Sequence, residues 1–308
     1  MDFLSFRIAM TQNDIHFGRW QAAALTLMAL IAFAANSVLC RMALGQGSID
    51  AASFTSIRLV SGTLMLLILF FLTSKNKAVP SKSSGSWLSG AILFLYAVCF
   101  SYAYVTLETG VGALIAFASV QITMITYGFI KGRRLNRTEW IGVLLAFGGF
   151  VYLVSPGISA PSAEGFILMA LSGFGWGMYS VRGLGSSDPL RDTTFNFFRS
   201  NAFLVLFVLL FLALGLLDVS LTRKGIWLAV ISGAITSGLG YTIWYMALRG
   251  LSNVQASVVQ LSVPVIAALG GILLLSEKLS LRLVLSSIII LSGILLVILG
   301  RSRFSSRR

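Results

Sequence analysis

Asn36-Ser-Val-Leu-Cys-Arg41 and, after a short polar joint, Phe54-Thr-Ser-Ile-Arg58 have a second version further along the chain, in Gly177-Met-Tyr-Ser-Val-Arg182 and Phe195-Asn-Phe-Phe-Arg199. Arg41 and Arg182, Phe54 and Phe195, and Arg58 and Arg199 are each separated by 141 residues. Several pairs in one register mark a duplicated half. The same offset carries Tyr104 onto Tyr245 and Leu107 onto Leu248, and an offset of 144 lays Leu135 on Leu279 and Gly149 on Gly293. The duplication therefore covers nearly the whole chain, with a small insertion in the second copy.

Composition sets the class. Of 308 residues, 57% are hydrophobic and 11% charged, and the mean hydropathy is +0.90. Soluble domains carry about 25% charged residues, so this chain belongs in a membrane. A net charge of +13 would suit nucleic acid, but the basic residues sit in loops between apolar runs, where they set orientation and meet anionic lipid. No nucleic-acid partner is expected. Cys40 and Cys99 both fall inside apolar runs, so no disulfide framework or cysteine metal site is implied. The single histidine, His16, precedes the first run, which removes most metal chemistry and the Ser-His-Asp arrangement. Neither a cofactor nor an enzymatic activity is expected.

Residues Met1 to Arg19 read as a short tail without the pattern of a signal peptide. Apolar runs follow at Gln21 to Leu44, Ala51 to Thr73, Trp87 to Leu107, Thr109 to Ile130 and Thr138 to Ser155, then at Ala163 to Leu184, Thr193 to Leu216, Gly225 to Leu248, Asn253 to Ser276 and Leu281 to Gly300. Each has the roughly 17–25 residues that cross a bilayer as a helix. With the N-terminus inside, the inner segments hold sixteen Lys and Arg, among them Arg19, Lys131, Arg137 and Arg191, and the outer ones four, Arg223, Lys224, Lys278 and Arg282. That bias puts both termini in the cytoplasm. Five helices per copy is an odd number, so the second copy enters the bilayer from the opposite side. The expected fold is an all-α membrane protein of ten transmembrane helices, two inverted five-helix repeats around a central cavity. The divisions are a cytoplasmic tail at 1–19, repeats at 20–156 and 157–300, and a basic cytoplasmic tail at 301–308.

All acidic residues lie in loops or at helix ends, among them Asp50, Glu108, Asp192 and Glu277. Ion-coupled carriers usually keep an acid within the membrane, so a carrier without ion coupling is expected. The charged residues that do enter the spans are Arg41, Arg58, Arg182 and Arg199. Arg58 and Arg199 sit about 10 Å from a helix end at about 1.5 Å per residue. Each either snorkels to the nearest surface or serves as a gate latch that engages Asp50, Asp192 or a helix end in one state only.

Polar side chains within the spans must find partners, since an unpaired amide in hydrocarbon costs several kcal/mol. Asn36, Ser119, Gln121, Gln255 and Gln260 are each either glue between helices or contacts to a ligand. Ser237, Tyr241 and Trp244 share one face of the eighth span, and their offset partners Tyr96, Phe100 and Ala103 form a second, largely aromatic stripe on the third. Trp176 and Tyr179 add to the set. Single rings in such a chain also serve as lipid-facing or interfacial residues, and the case rests on the matched stripe. Pro264 falls mid-way along the ninth run, where it would free a backbone carbonyl toward a cavity or hinge. Gly173 and Gly177, and Gly128 and Gly132, have the spacing of close helix contacts. Asn136-Arg137-Thr138 matches a glycosylation sequon but falls on the inner side, and is read as chance.

Two copies, each with an arginine in its second helix (Phe-Thr-Ser-Ile-Arg58 and Phe-Asn-Phe-Phe-Arg199), resemble the drug/metabolite transporter superfamily and its EamA-type ten-helix exporters. Tyr245 to Leu248, Pro264, Ser276-Glu277-Lys278-Leu279 and Gly293 are similar to the pattern of that family. The likeness is greatest to its bacterial aromatic amino-acid exporters. The first copy departs from the pattern, with Val120 in place of the proline and Arg133 where the second has Glu277. The resemblance implies a monomer in a bacterial inner membrane, a cavity lined by the first, third, fourth, sixth, eighth and ninth helices, alternating access, and export of small amphipathic metabolites. Carriers of sugar phosphates or nucleotide sugars, and cationic drug exporters, are the alternatives within the superfamily.

Overall fold

The computed structural model describes residues 19–74, 84–132, 135–155, 157, 160–183, 186, 188–216, 218–248, 250–251 and 253–305, without the side chains of 253–255, 257 and 301–305. The tail 1–18, Lys75, Lys77, Lys82, Arg133, Arg134, Arg249, the Gln255 amide and the side chains of 301–308 lie outside the described residues. The first copy contributes α1 (Arg19–Leu44), α2 (Ala51–Ser74), α3 (Trp87–Thr106), α4 (Thr109–Ile130) and α5 (Arg137–Val154). The second contributes α6 (Ala163–Gly183), α7 (Pro189–Ala213), α8 (Arg223–Leu248), α9 (Asn253–Gln260), α10 (Val263–Leu275) and α11 (Leu281–Ser305). Among the described residues the only extended pairing is one isolated bridge between Ile49 and Leu221. Among the described residues nine crossings are long and apolar enough to span a membrane; the tenth, α6, has the length at 21 residues but is diluted by glycine and carries Glu164 and Arg182.

Local chemistry moves some boundaries. α7 starts at Pro189, four residues before the apolar run, because Asp188 accepts the Arg191 N–H and the proline fits the first turn, where its missing N–H is not needed. The expected ninth helix is two helices, α9 and α10, separated at Leu261 and Ser262. Pro264 therefore sits in the first turn of α10 and not in mid-helix. Within α8 the segment Ser232–Leu239 winds as a π-helix. Asn136 of the apparent sequon is a helix cap: it accepts the Glu139 N–H at 2.9 Å and donates its own N–H to the Glu139 carboxylate at 2.8 Å.

The helix contacts obey an exchange of the two copies. α3 packs on α6 as α8 packs on α1, α4 packs on α6 as α10 packs on α1, and α2 packs on α8 as α7 packs on α3. α2–α7, α4–α10 and α5–α11 are the self-paired contacts that lie on such an axis. Glycine lets these backbones approach. A methyl group on Gly142 of α5 would strike the Gly293 carbonyl of α11, and one on Gly293 would come within 2.6 Å of the Ala146 nitrogen. Gly173 and Gly177 press α6 onto α4, at Ala116 and Thr123. Gly132 makes no such seam: it follows α4 with φ +87 and nothing near its missing side chain.

Candidate functional site

Between the copies, α1, α3, α4, α6 and α8 enclose a cavity of about 40 Å³. Its wall is mostly rings: Phe33 of α1, Tyr96 and Phe100 of α3, Phe117 of α4, Trp176 of α6 and Tyr241 of α8. Trp176 lies 4.7 Å from Tyr241 and 5.1 Å from Tyr96, centroid to centroid, so the rings close on one another and leave room for a few waters only. The polar part of the wall is Asn36, Ser37, Ser172 and Thr236. Asn36 Oδ1 accepts from Ser232 at 2.7 Å and Thr236 at 3.0 Å, which ties α1 to the π-helical turn of α8.

The two ends of the bundle close differently. At the Glu277 end, Arg41 Nε stands 3.4 Å from Glu277 Oε1, and Arg41 Nη1 donates to the carbonyls of Val105 at 2.9 Å and Tyr104 at 3.1 Å. Glu277 also accepts the Thr109 N–H at 3.0 Å, so its charge faces the positive end of α4. Burial, and then the charge of Glu277, hold the neighbouring Glu108 carboxyl above the usual carboxylate range, against the opposing pull of Arg41. Asp50 adds a clasp at this end, accepting from Ser53 N at 2.8 Å and from Ser220 N at 3.1 Å.

At the Asp192 end lies a polar pocket of about 220 Å³ between α3, α6, α7 and the end of α8. Arg182, the counterpart of Arg41, is paired with no acid among the described residues and donates to Ser89 at 3.1 Å and Ser86 at 3.3 Å. Asp192 accepts from Gly85 N at 2.8 Å, and Asn196 accepts from Ser86 N at 2.8 Å. Tyr179 lines this pocket and stacks on Trp176 at 5.6 Å, so a two-ring layer divides it from the central cavity.

The paired arginines also part ways. Arg199 donates to the Ser84 carbonyl ahead of α3 and lies over Trp87, as a residue held near a helix end would. Arg58 does not engage Asp50 or a helix end, the partners expected of a latch. Its side chain runs inward, is 2% exposed, donates from Nη2 to Tyr96 Oη at 2.9 Å, and faces the rings of Tyr96 and Phe100 at 5.3 and 5.0 Å. Position along the helix gave the depth of its Cα, and the guanidinium goes elsewhere.

Of the residues singled out from sequence, the structure brings Asn36, Tyr96, Phe100, Trp176 and Tyr241 to the cavity wall. Tyr179 stands in the polar pocket. Trp244 packs behind the wall at 5.6 Å from Phe33, and Ser237 is buried in the π-helical segment. Ser119 is pressed against Gly173 at the α4–α6 seam, Gln121 is buried on α4, and Gln260 ends α9; none of the three lines the cavity. Phe33, Phe117 and Ser172 of the wall went unnoticed because single apolar rings and a serine among glycines carry no distinguishing pattern.

A mirrored pair of membrane-spanning bundles around a cavity, with a closure at each end, is the build of a multi-pass membrane transporter. The chain belongs to the EamA-like transporter family, whose model matches residues 20–155 and again 163–299. It is 48% identical over 277 residues to an uncharacterised protein of Pseudomonas aeruginosa, covering 90% of this chain and 94% of that one. An uncharacterised transporter of Archaeoglobus fulgidus is 28% identical over 75% of this chain and 82% of its own length. The uncharacterised transporter YoaV of Bacillus subtilis is 20% identical over 82% of this chain and 89% of its own. A solved crystal structure superposes with a TM-score of 0.61 at 19% identity, over 89% of this chain and 97% of the other, which concerns the fold alone.

Proposed function

We propose that this transporter exports aromatic or other neutral amino acids and related small metabolites from the cytoplasm of a bacterium, by alternating access and without ion coupling. The observation that carries the reading is the cage of Tyr96, Phe100, Trp176 and Tyr241 between the copies, together with the absence of any carboxylate from the cavity wall among the described residues. Rings take an aromatic side chain, and Asn36, Ser37 and Ser172 offer hydrogen bonds without a fixed charge. The charge bias of the loops supports a cytoplasmic Asp192 end. On that orientation the polar pocket is a cytoplasmic vestibule, the Trp176–Tyr179 stack its floor, and the Arg41–Glu277 pair the outer closure. Residues 20–156 and 157–300 are the halves that exchange conformations, in a monomer.

A cavity of about 40 Å³ is contracted, and an amino acid enters only when the rings part. In proteoliposomes, labelled phenylalanine or tryptophan should exchange down its gradient, unchanged by imposed pH or sodium gradients. Accumulation above equilibrium under either gradient would refute uncoupled transport, and no flux of either amino acid would refute the substrate class. Arg58 gives the sugar-phosphate reading a specific observation in its favour, since its cation reaches Tyr96 of the wall. The apolar remainder of the wall opposes that reading, because sugar hydroxyls would be left without partners. Inhibition of phenylalanine flux by a sugar phosphate would revive it.

A further inference from the structure

Arg58 is a buried, permanently charged group with an unfinished set of partners. Nη2 is spent on Tyr96, while Nη1 has no hydrogen-bond partner and no carboxylate is paired with the guanidinium among the described residues. Asp50, which precedes the helix eight residues before Arg58, is committed to Ser53 and Ser220. Tyr96 hands this charge to the cavity. Tyr96 Oη accepts from Arg58 and, across the cavity wall, from Tyr241 Oη, so its own hydrogen is spent in neither contact. The Tyr241 oxygen is 3.4 Å away, well beyond the roughly 2.7–2.8 Å usual for hydroxyl pairs. The wall thus offers an under-used donor backed by an uncompensated cation, beside a cage of rings.

We infer that the Tyr96 and Arg58 side of the cavity is an anion subsite that takes the carboxylate of an aromatic acid or amino acid. The inference rests on the proposed substrate class and narrows it: the carboxylate is the recognised head group and the ammonium is dispensable. The carboxylate accepts from Tyr96 Oη first, and reaches Nη1 when Tyr96 and Phe100 part. A fixed cation behind the wall also turns away cationic amphiphiles, which separates this carrier from an exporter of cationic drugs.

The test uses the full chain in proteoliposomes and three probes with one ring, namely phenylalanine, 3-phenylpropionate, which keeps only the carboxylate, and phenethylamine, which keeps only the ammonium. As competitors of labelled phenylalanine flux, 3-phenylpropionate should match phenylalanine, and phenethylamine should be at least about tenfold weaker, the scale of a lost charge-assisted hydrogen bond. Tyr96→Phe, which keeps the ring, should bring the two head groups to within about threefold of each other, and Arg58→Lys should keep most of the preference. Thermal shift of the purified protein by the same probes gives a readout independent of transport, and covers the case in which Arg58→Met does not fold. Equal competition by phenethylamine and 3-phenylpropionate in the parent protein, or an undiminished preference in Tyr96→Phe, overturns the subsite. If phenylalanine is not carried but 3-phenylpropionate raises Tm and phenethylamine does not, the amino-acid reading falls and the anion subsite stands.

Discussion

Arg41 and Arg182 occupy equivalent places in the two copies, yet Arg41 is locked to Glu277 and two helix-end carbonyls while Arg182, among the described residues, has the hydroxyls of Ser86 and Ser89. In the sequence one equivalence is broken: at the offset of 144, the second copy has Glu277 where the first has Arg133. One end is therefore held by an ion pair and the other, among the described residues, by hydrogen bonds of Arg182, Asp192 and Asn196 and by rings. An ion pair with partly buried members is costly to break and slow to give way, whereas hydroxyl contacts exchange readily with water. The difference teaches that the repeat supplies the symmetric scaffold, and that departures from the repeat decide which end rests closed.

The comparison breaks most severely at Glu277. Glu277→Gln removes the ion pair and half of the charge-assisted capping of α4, for a cost of roughly 2–3 kcal/mol to the closed Glu277 end. Cys40, fully buried one residue from Arg41, is the natural reporter. In a Cys99→Ala background, its modification by a maleimide should become faster in Glu277→Gln and stay slow in Arg182→Gln. Equal rates in the two would show that the ends are not held differently.

A second contrast of the copies comes from glycines. Gly233 of α8 faces the Arg58 carbonyl and Ser61 so closely that a methyl group would collide with backbone. Gly90, on the equivalent helix α3, would place the methyl 2.9 Å from Arg199 Cβ and 3.3 Å from the Asn196 carbonyl. Gly233→Ala should cost roughly 2–3 kcal/mol and lower Tm by several degrees, and Gly90→Ala about 1 kcal/mol. Asp192→Asn, which keeps an acceptor for the Gly85 N–H, should shift Tm less than Gly233→Ala does.

The smallest effect belongs to Glu108. Its carboxyl titrates above the ordinary value of 4.5, so the folded protein favours its protonated form. Stability from this group is present at acid pH and is lost as pH rises through the raised value. Tm measured from pH 4 upward should therefore decline less in Glu108→Gln than in the parent chain. An identical pH profile would remove Glu108 from the account of this end.

Much of the architecture was legible because it is written in period and repetition: the ten runs, the odd count per copy, and the register of Arg41, Phe54 and Arg58 with their partners. The aromatic stripe on the third and eighth helices was legible for the same reason, and Tyr96, Phe100 and Tyr241 do share a wall. The start of α7 was signalled by Asp188-Pro189 but overridden by hydropathy, which marks where a helix is greasy and not where it is capped. The π-helical turn of α8 left no sequence mark, since Ser232-Gly-Ala-Ile-Thr-Ser-Gly238 suits an α-helix equally well. The inward course of Arg58 was hidden too, because helical position fixes a Cα and a long flexible side chain chooses among neighbours that only the tertiary structure supplies.

The Arg41–Glu277 pair also says something about descent. Two identical half-length chains, one inverted against the other, could carry such a lock at both mouths or at neither, and in the first case neither mouth would open before its twin. A lock on one side only requires that the two halves differ, and a single polypeptide that carries both copies leaves each free to change without the other.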